Sequence, residues 1–401
     1  MPDDPARMID VRSWMRELTV EQLCTTAEEY FRRLTNLDYH LAKPFASVDE
    51  APELVISFMH VLLGLKLAPE MVVLDFGAGS CWSSRYLTQL GMEVIAMDAS
   101  SSALEIGRQL YARNPVFGEK PPPRFLPFDG RRFDLPDQSV DRVLCYDAFH
   151  HVPNPEEVLR EMGRVLKPGG IAGFSEPGPD HSRSPQSQYE MRTFRVLEND
   201  VRMGEIQRWS RRAGFERLHV SVFSSVPFHL PLDEFDAFLE RASGGQRYLD
   251  ATRDYLRNRR LFFLTKAGTE IADSRQRAGL KAELQVDVSQ TRVRPGNSFF
   301  ASARVTNSGS AAWRPSTARI GAVNLGIHLC DASGQVLNLD YFRQPLSPER
   351  VVRPGETLEL KFQVPSPSTG RYVLEFDLVS EAVCWFATNG SRTVRIAVEV
   401  E

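Results

Sequence analysis

Asp75, Gly77 and Gly79 close the run Val72-Val73-Leu74-Asp75-Phe76-Gly77-Ala78-Gly79, and together they could hold a charged small molecule. The run is strand-like in length and in its β-branched residues. A glycine turn after such a strand lets the backbone approach a ligand where no Cβ would fit. A helix expected from Ser84 to Leu90, ended by Gly91, then aims free N–H groups at the same point. A second apolar strand, Met92 to Asp98, ends in another acid about 20 residues on, where it can accept from ribose hydroxyls. The other use of Asp98 is a helix cap, which Ser100, Ser101 or Ser102 could supply instead; Ser102 with Glu105 makes a capping box. Asp129 and Gly130 end a third strand, suited to an adenine edge or to an ordinary Asp-Gly turn.

Two cofactors compete for the glycine turn. A dinucleotide wants a third glycine packing the helix against the strand around a pyrophosphate, and here that place is Trp82. An acid at the strand end repels a phosphate but attracts an ammonium. Asp75-x-Gly77-x-Gly79 therefore fits S-adenosylmethionine (AdoMet), whose methionine part carries that charge.

Acid–base candidates cluster further on. A polar turn leads into a buried strand over Val140 to Asp147 whose far end carries His150 and His151. Asn154-Pro155-Glu156-Glu157 opens a helix, with Asn as cap, Pro at the first position and acids at the positive end of the dipole. Pro168-Gly169-Gly170 stops it, and a strand from Ile171 to Phe174 leads to Glu176, with His181 beyond.

In this order the motifs resemble the class I AdoMet-dependent methyltransferases of the bacterial type-11 branch. Leu126-Pro127-Phe128, Ser139-Val140-Asp141-x-Val143, His150-His151 and Arg164-Val165-Leu166-Lys167-Pro168-Gly169-Gly170 carry the likeness, which is strong over residues 70–180. The resemblance implies a Rossmann-like seven-stranded α/β sheet with flanking helices and AdoMet as cofactor. It further implies Asp75, Gly77 and Gly79 at the methionine end, Asp98 on the ribose and Asp129 with Gly130 at the adenine. Tyr146 and the His150 region would lie beside the sulfonium. Cys81 stands where the family often has a third glycine; it reads as a packing residue.

Methyl transfer needs the acceptor in line with the S–CH₃ bond and water excluded. An alcohol acceptor must also lose a proton, for which a base near neutral pKa is suited. His150, His151, His181, Glu176 and Asp147 are the candidates, all after strand ends, where open α/β sheets gather their sites. Strand alternation would turn His150 and His151 opposite ways. Adjacent histidines without a third ligand at suitable spacing argue against a metal.

Residues 1–69 read as an N-terminal helical cap, with helices at Val20–Leu34 and Pro52–Leu65, and 70–268 as the cofactor-binding domain. Within it, a strand from Phe215 to Ser224 precedes a helical insertion over 227–260, the sort of segment that sets acceptor choice, and Leu261 to Leu264 form the last strand. Residues 269–280 read as a polar helical linker. Beyond it, Leu358-x-Leu360-x-Phe362-x-Val364 and Tyr372-x-Leu374-x-Phe376-x-Leu378 alternate as half-buried strands do. Arg294-Pro295-Gly296 and Arg353-Pro354-Gly355 suit type II turns. Residues 281–401 are thus expected to form an all-β sandwich of seven or so strands. The module loosely resembles immunoglobulin-like domains of surface-polysaccharide enzymes, through Val305-Thr306-Asn307-Ser308-Gly309, Trp313 and Gly370-Arg371-Tyr372. Trp313 reads as a core anchor, whereas Tyr341, Phe342, Trp385 and Phe386 could either stack on sugars or pack.

The formal net charge of −4 argues against nucleic-acid binding. No apolar run approaches the roughly 20 residues of a membrane span, and Met1-Pro2-Asp3-Asp4 does not read as a signal peptide. Five scattered cysteines suit a reducing cytoplasm. The expectation is an AdoMet-dependent O-methyltransferase of a sugar or glycan intermediate, its sandwich available to a glycan or protein partner. A methyltransferase of a small aromatic or quinone metabolite and a non-catalytic AdoMet-binding scaffold are the alternatives.

Overall fold

The structure, a computed structural model, describes residues 8–225, 227–241, 245–270 and 272–401. Met1 to Asp4, three residues of the insertion and one of the linker thus lie outside the described residues. The chain divides into two compact units, 1–270 and 271–401.

The first unit opens with four helices, α1 (Val11–Glu17), α2 (Val20–Arg32), α3 (Asp38–Ala42) and α4 (Ala51–Leu65). Thr19 and Gln22 form a reciprocal capping box that starts α2. Then come β1 (Val72–Phe76), α5 (Trp82–Gln89), β2 (Glu93–Asp98), α6 (Ser101–Arg113), β3 (Arg124–Pro127), β4 (Val140–Tyr146), α7 (Pro155–Val165) and β5 (Leu166–Pro177). The remainder is α8 (Pro185–Phe194), α9 (Met203–Arg212), β6 (Phe215–Val220), α10 (Leu232–Leu239), α11 (Gly245–Asn258) and β7 (Arg259–Lys266). Seven strands form one sheet in the order β3-β2-β1-β4-β5-β7-β6. The first five pair in parallel, and β7 runs antiparallel to both neighbours. This is the Rossmann-like sheet expected from the sequence. Chain order reverses between β1 and β4, and such a switch point leaves a crevice beyond the strand ends.

The core is built by β-strands whose runs are buried on both faces, such as Val73, Leu74, Val143, Leu144, Ala172 and Phe174, all 0 % exposed. Gly64 lets α4 lie close on the sheet, since a Cβ there would come within 2.0 Å of the Phe263 ring. The strand expected to reach Ser224 stops at Val220, and the insertion supplies α10 and α11. Among the described residues no helix is long and apolar enough to cross a membrane.

The second unit is all-β: β8 (Ala282–Val288), β9 (Arg292–Val293), β10 (Ser298–Asn307), β11 (Val323–Asp331), β12 (Val336–Pro345), β13 (Thr357–Pro365), β14 (Gly370–Ser380), β15 (Cys384–Trp385) and β16 (Val394–Val400). One sheet has the order β13-β10-β8 and the other β12-β11-β14-β16-β9, with β15 on β14. Gly296 and Gly355 both have φ of +84°, as the two Pro-Gly turns require. Trp313 is fully buried at the centre, its ring edge-on to Phe386 at 5.6 Å. Phe386 belongs to the core, Tyr341 and Phe342 pack against it, and Trp385 lies under the Arg343 guanidinium at 4.3 Å. The Tyr372 hydroxyl bonds the Ser368 side chain at 3.0 Å.

Among the described residues of the linker there is no helix. Ser274 is buried, accepting from Arg314 N (2.9 Å) and donating to Gly321 O, while Leu280 enters the sandwich core. Elsewhere in the linker, Glu270 pairs with Arg142 at 2.9 Å and Arg275 with Asp273 at 2.7 Å.

Candidate active site

After β1 the chain turns through three left-handed residues, Gly77 (φ +70°), Gly79 (φ +51°) and Cys81 (φ +62°), before α5 begins. The N–H groups of Gly77 and Ala78 both donate to Met97 O, at 2.8 and 3.0 Å, which ties the turn to β2. A Cβ on Gly77 would lie 2.2 Å from that of Ala148, so glycine lets the turns after β1 and β4 touch. A Cβ on Gly79 would meet only Phe31 Cζ, at 3.9 Å. That space belongs to a cavity of about 500 Å³ at the switch point. Cys81 is buried, and burial pushes its thiol well above its ordinary range, which suits packing.

Gly77, Gly79, Asp98, Gly130, Tyr146, His150, His151 and His181 all border this cavity, whereas Asp75, Asp129 and Glu176 do not. Asp75 is 1 % exposed, and one of its carboxylate oxygens accepts from both Ser83 Oγ (2.7 Å) and Ser84 Oγ (2.5 Å). Burial lifts its pKa to about 6 against those hydrogen bonds. Asp75 therefore ties the first turn of α5 to the end of β1.

Asp98 accepts from Gly79 N and from Ser100 N, both at 2.8 Å, and forms part of the cavity wall. The cap of α6 is Ser100, whose Oγ accepts from Ala103 N at 3.0 Å. Ser102 forms no capping box with Glu105. Glu28 of α2 takes over, accepting from Ser100 Oγ (2.7 Å), Ser102 N (3.0 Å) and Ser102 Oγ (2.6 Å). Asp129 is exposed and accepts from Arg131 N and Arg132 N at 2.8 Å, so the ordinary turn reading describes it. The cavity wall there is Phe128, Gly130 and Asn154. Asn154 Nδ2 donates to Gly130 O (2.9 Å) and to Glu157 (2.7 Å), which fixes the orientation of the amide. Its Oδ1 is buried and finds no partner among the described residues. In sequence Asn154 looked like a cap; its side chain caps nothing.

On the β4 side, the Tyr146 hydroxyl meets Ser57 Oγ at 2.5 Å. Asp147 (φ +49°) forms a two-pronged pair with Arg259, at 2.6 and 3.1 Å. A 3₁₀ turn, Phe149–His151, follows. Because this is a turn and not extended strand, His150 and His151 face the same cavity, their ring centres 3.9 Å apart. That corrects the alternation expected from sequence. Glu176, at the end of β5, is fully buried behind the turn. It accepts from the N–H groups of Ala148 (3.1 Å), Phe149 (2.9 Å) and His150 (3.2 Å), and from His150 Nδ1 (2.7 Å). Such an acceptor cannot reach a ligand's proton; Glu176 positions His150.

Glu198 completes the cluster, and nothing in its sequence surroundings signalled it. It is 6 % exposed and lines the cavity, held there by the bond from Asn199 N to His150 O at 2.9 Å. Its carboxylate lies 2.7 Å from His181 Nε2, 3.7 Å from His150 Nε2 and 3.5 Å from His151 Nδ1. Burial pushes the Glu198 pKa up, but the surrounding histidines more than reverse this and hold it at about 2. Burial drives His150 well below its ordinary pKa. Burial also opposes charge on His151, yet the Glu198 carboxylate and the Leu197 carbonyl, 2.6 Å from Nδ1, leave that pKa raised. The histidines therefore do have a nearby carboxylate: His150, His181 and Glu198 each bring one potential ligand atom within 4.8 Å of the others, which the spacing in sequence did not suggest.

Residues 74–174 match the methyltransferase-domain family. A demethylmenaquinone methyltransferase of Renibacterium salmoninarum is 31 % identical over 134 residues, 33 % of this chain and 53 % of that protein. A sarcosine/dimethylglycine N-methyltransferase of Halorhodospira halochloris is 38 % identical over 120 residues, 29 % of this chain and 40 % of that protein. The chain thus spans about half the length of the curated relatives it matches. Among solved structures, an S-adenosylmethionine-dependent methyltransferase from Mesorhizobium loti aligns with 19 % identity and a TM-score of 0.41, over 55 % of this chain and 100 % of that one. The family match falls on strands that border the cavity, and it places a methyltransferase-family segment, residues 74–174, within the first unit.

Proposed function

We propose that this chain transfers a methyl group from AdoMet to a hydroxyl of a small acceptor, a sugar or surface-glycan intermediate. The observation that carries the reading is the facing of His150, His151, His181 and Glu198 into the cavity that Gly77, Gly79 and Asp98 also border. The cavity has room for a nucleoside cofactor beside an acceptor. Asp98 offers carboxylate oxygens to ribose hydroxyls, and the orphaned Asn154 Oδ1 is the acceptor that an adenine amino group requires. Gly79 leaves the backbone open where the methionine end would pass. AdoMet supplies, when bound, a methyl group already activated on a sulfonium.

The residues of this chain orient the acceptor, exclude water and take its proton. His151 suits the last role, because its Nδ1 is engaged by the Leu197 carbonyl and its Nε2 is left as the accepting nitrogen. Glu198 positions His151 and stabilises its charged form. The names of the relatives favour a second reading, with a reduced quinone-type ring as acceptor. The all-β second unit could take a glycan or a protein partner.

Calorimetric titration with AdoMet, then methyl transfer to sugar nucleotides, lipid-linked glycans and reduced quinones, tests these readings. Turnover on a hydroxyl is expected. His151→Ala should lower kcat by about 10²- to 10⁴-fold while AdoMet binding persists. Binding without turnover on any acceptor would favour a scaffold, and no AdoMet binding would overturn the proposal.

A further inference from the structure

We propose that His150, His181 and Glu198 form a divalent-metal site in the cavity wall, of the two-histidine, one-carboxylate kind, and that the metal holds the acceptor oxygen. One ligand atom from each of these residues lies within 4.8 Å of the other two. Tetrahedral zinc with bonds of 2.0–2.1 Å sets its donors about 3.4 Å apart, so small side-chain movements close the site. One of them is an opening of the His181 Nε2–Glu198 contact, now 2.7 Å.

The orientation of His150 is the strongest argument. Its Nδ1 is committed to Glu176 at 2.7 Å, so the lone pair of the neutral ring sits on Nε2, the atom nearer Glu198. A carboxylate bonded to the far nitrogen of a histidine is the usual outer support of a metal ligand. Glu176 is itself anchored by the backbone N–H groups of Ala148, Phe149 and His150, which makes that support rigid. Glu198 is set in register with His150 by the bond from Asn199 N to His150 O. Three protein ligands leave a fourth position for substrate, the pattern of catalytic and not structural zinc.

The chemistry is consistent with a redox-inert ion, since methyl transfer moves no electrons between metal and substrate. The ion would hold the acceptor hydroxyl and lower its pKa. The oxygen–methyl bond then forms as the carbon–sulfur bond breaks, the electron pair stays on sulfur and the proton passes to His151. The acceptor's part in this rests on the methyltransferase reading; the metal site rests on the ligand geometry alone.

The test uses the full chain stripped of metal by chelation and titrated with Co²⁺, a visible-absorbing stand-in for zinc. One Co²⁺ per chain is expected, with the bands of a four-coordinate nitrogen–oxygen site, no thiolate charge-transfer band, and displacement by Zn²⁺. Glu176→Gln should weaken binding about 10- to 100-fold, and His181→Ala and Glu198→Gln by more. Absence of Co²⁺ binding, a thiolate band, or binding that survives both His181→Ala and Glu198→Gln would overturn the inference. AdoMet titrated into the same metal-free protein reports on the earlier reading separately. Retained AdoMet binding with no Co²⁺ binding would sink this inference alone, whereas Co²⁺ binding with no AdoMet binding would sink the earlier reading alone.

Discussion

Replacing Gly77 and Gly79 singly by alanine should separate what holds the turn from what the turn holds. At Gly77 two costs combine. Alanine at φ +70° is strained by about 1–2 kcal/mol, and its Cβ would fall 2.2 Å from Ala148 Cβ, an overpacking of about 1–3 kcal/mol. Neither neighbour can swing aside, because both are backbone-mounted methyl groups. Gly77→Ala should therefore lose about 2–5 kcal/mol. Gly79→Ala bears only the strain, about 1–2 kcal/mol, since nothing lies within 3.9 Å of its Cβ. That Cβ instead enters the cavity, so AdoMet affinity should fall at least tenfold in a protein that remains folded. Urea unfolding followed by tryptophan fluorescence gives the first quantity, and titration calorimetry the second. If Gly77→Ala proves no less stable than Gly79→Ala, the contact between the two turns does not shape the site as argued. If Gly79→Ala binds AdoMet normally, the cofactor does not pass over this turn.

Two further outcomes follow from single side chains. Asp75 has its folded pKa raised from 3.8 to about 6, so the folded state holds that proton more tightly than the unfolded chain. Its contribution is present below about pH 4 and lost as pH rises through 6, a swing of about 3 kcal/mol. The stability difference between wild type and Asp75→Asn, measured by urea unfolding at pH 4.5 and pH 8, should move by that order in favour of the variant at pH 8; no change would refute the assignment. Asn154→Ala should weaken AdoMet about two- to tenfold, the worth of one hydrogen bond, yet leave unchanged the binding of an analogue lacking the adenine amino group. Equal losses for both ligands in calorimetry would show that Oδ1 does not read the amine.

The strand–turn–helix units were legible because each combines a short apolar run, an acid and a glycine, signals that act over a few residues. The left-handed turn at Gly77 and Gly79 and the arrangement of β1 and β2 fall in this class. What escaped depends on contacts between distant segments. Glu198 sits in a non-periodic stretch, and only its bond network to residues 150, 151 and 181 gives it meaning. Glu176 looked like a base because a sequence does not show that its oxygens are taken by the turn at 148–150. Asp129 is a similar case, its carboxylate spent on Arg131 N and Arg132 N. The two adjacent histidines differ for another reason: the period-two alternation of β4 ends at Tyr146, and the 3₁₀ turn Phe149–His151 that follows sets both rings on one side.

The helical layer at the start of the chain has a bearing on how the protein is made. Glu28 reaches Ser100, 72 residues later, and the apolar face that includes Leu23 packs on Met191 and Leu197. Ile9 bonds Gln188 in both directions, and Arg12 pairs with Glu205 at 2.7 Å. A ribosome delivers these helices before those partners, at about 5–20 residues per second, so they wait several seconds for them. Until residue 197 has emerged, Leu23 lacks its core neighbours Met191 and Leu197. The nascent chain therefore carries an open apolar stripe until those partners emerge, a natural point for a chaperone to hold it.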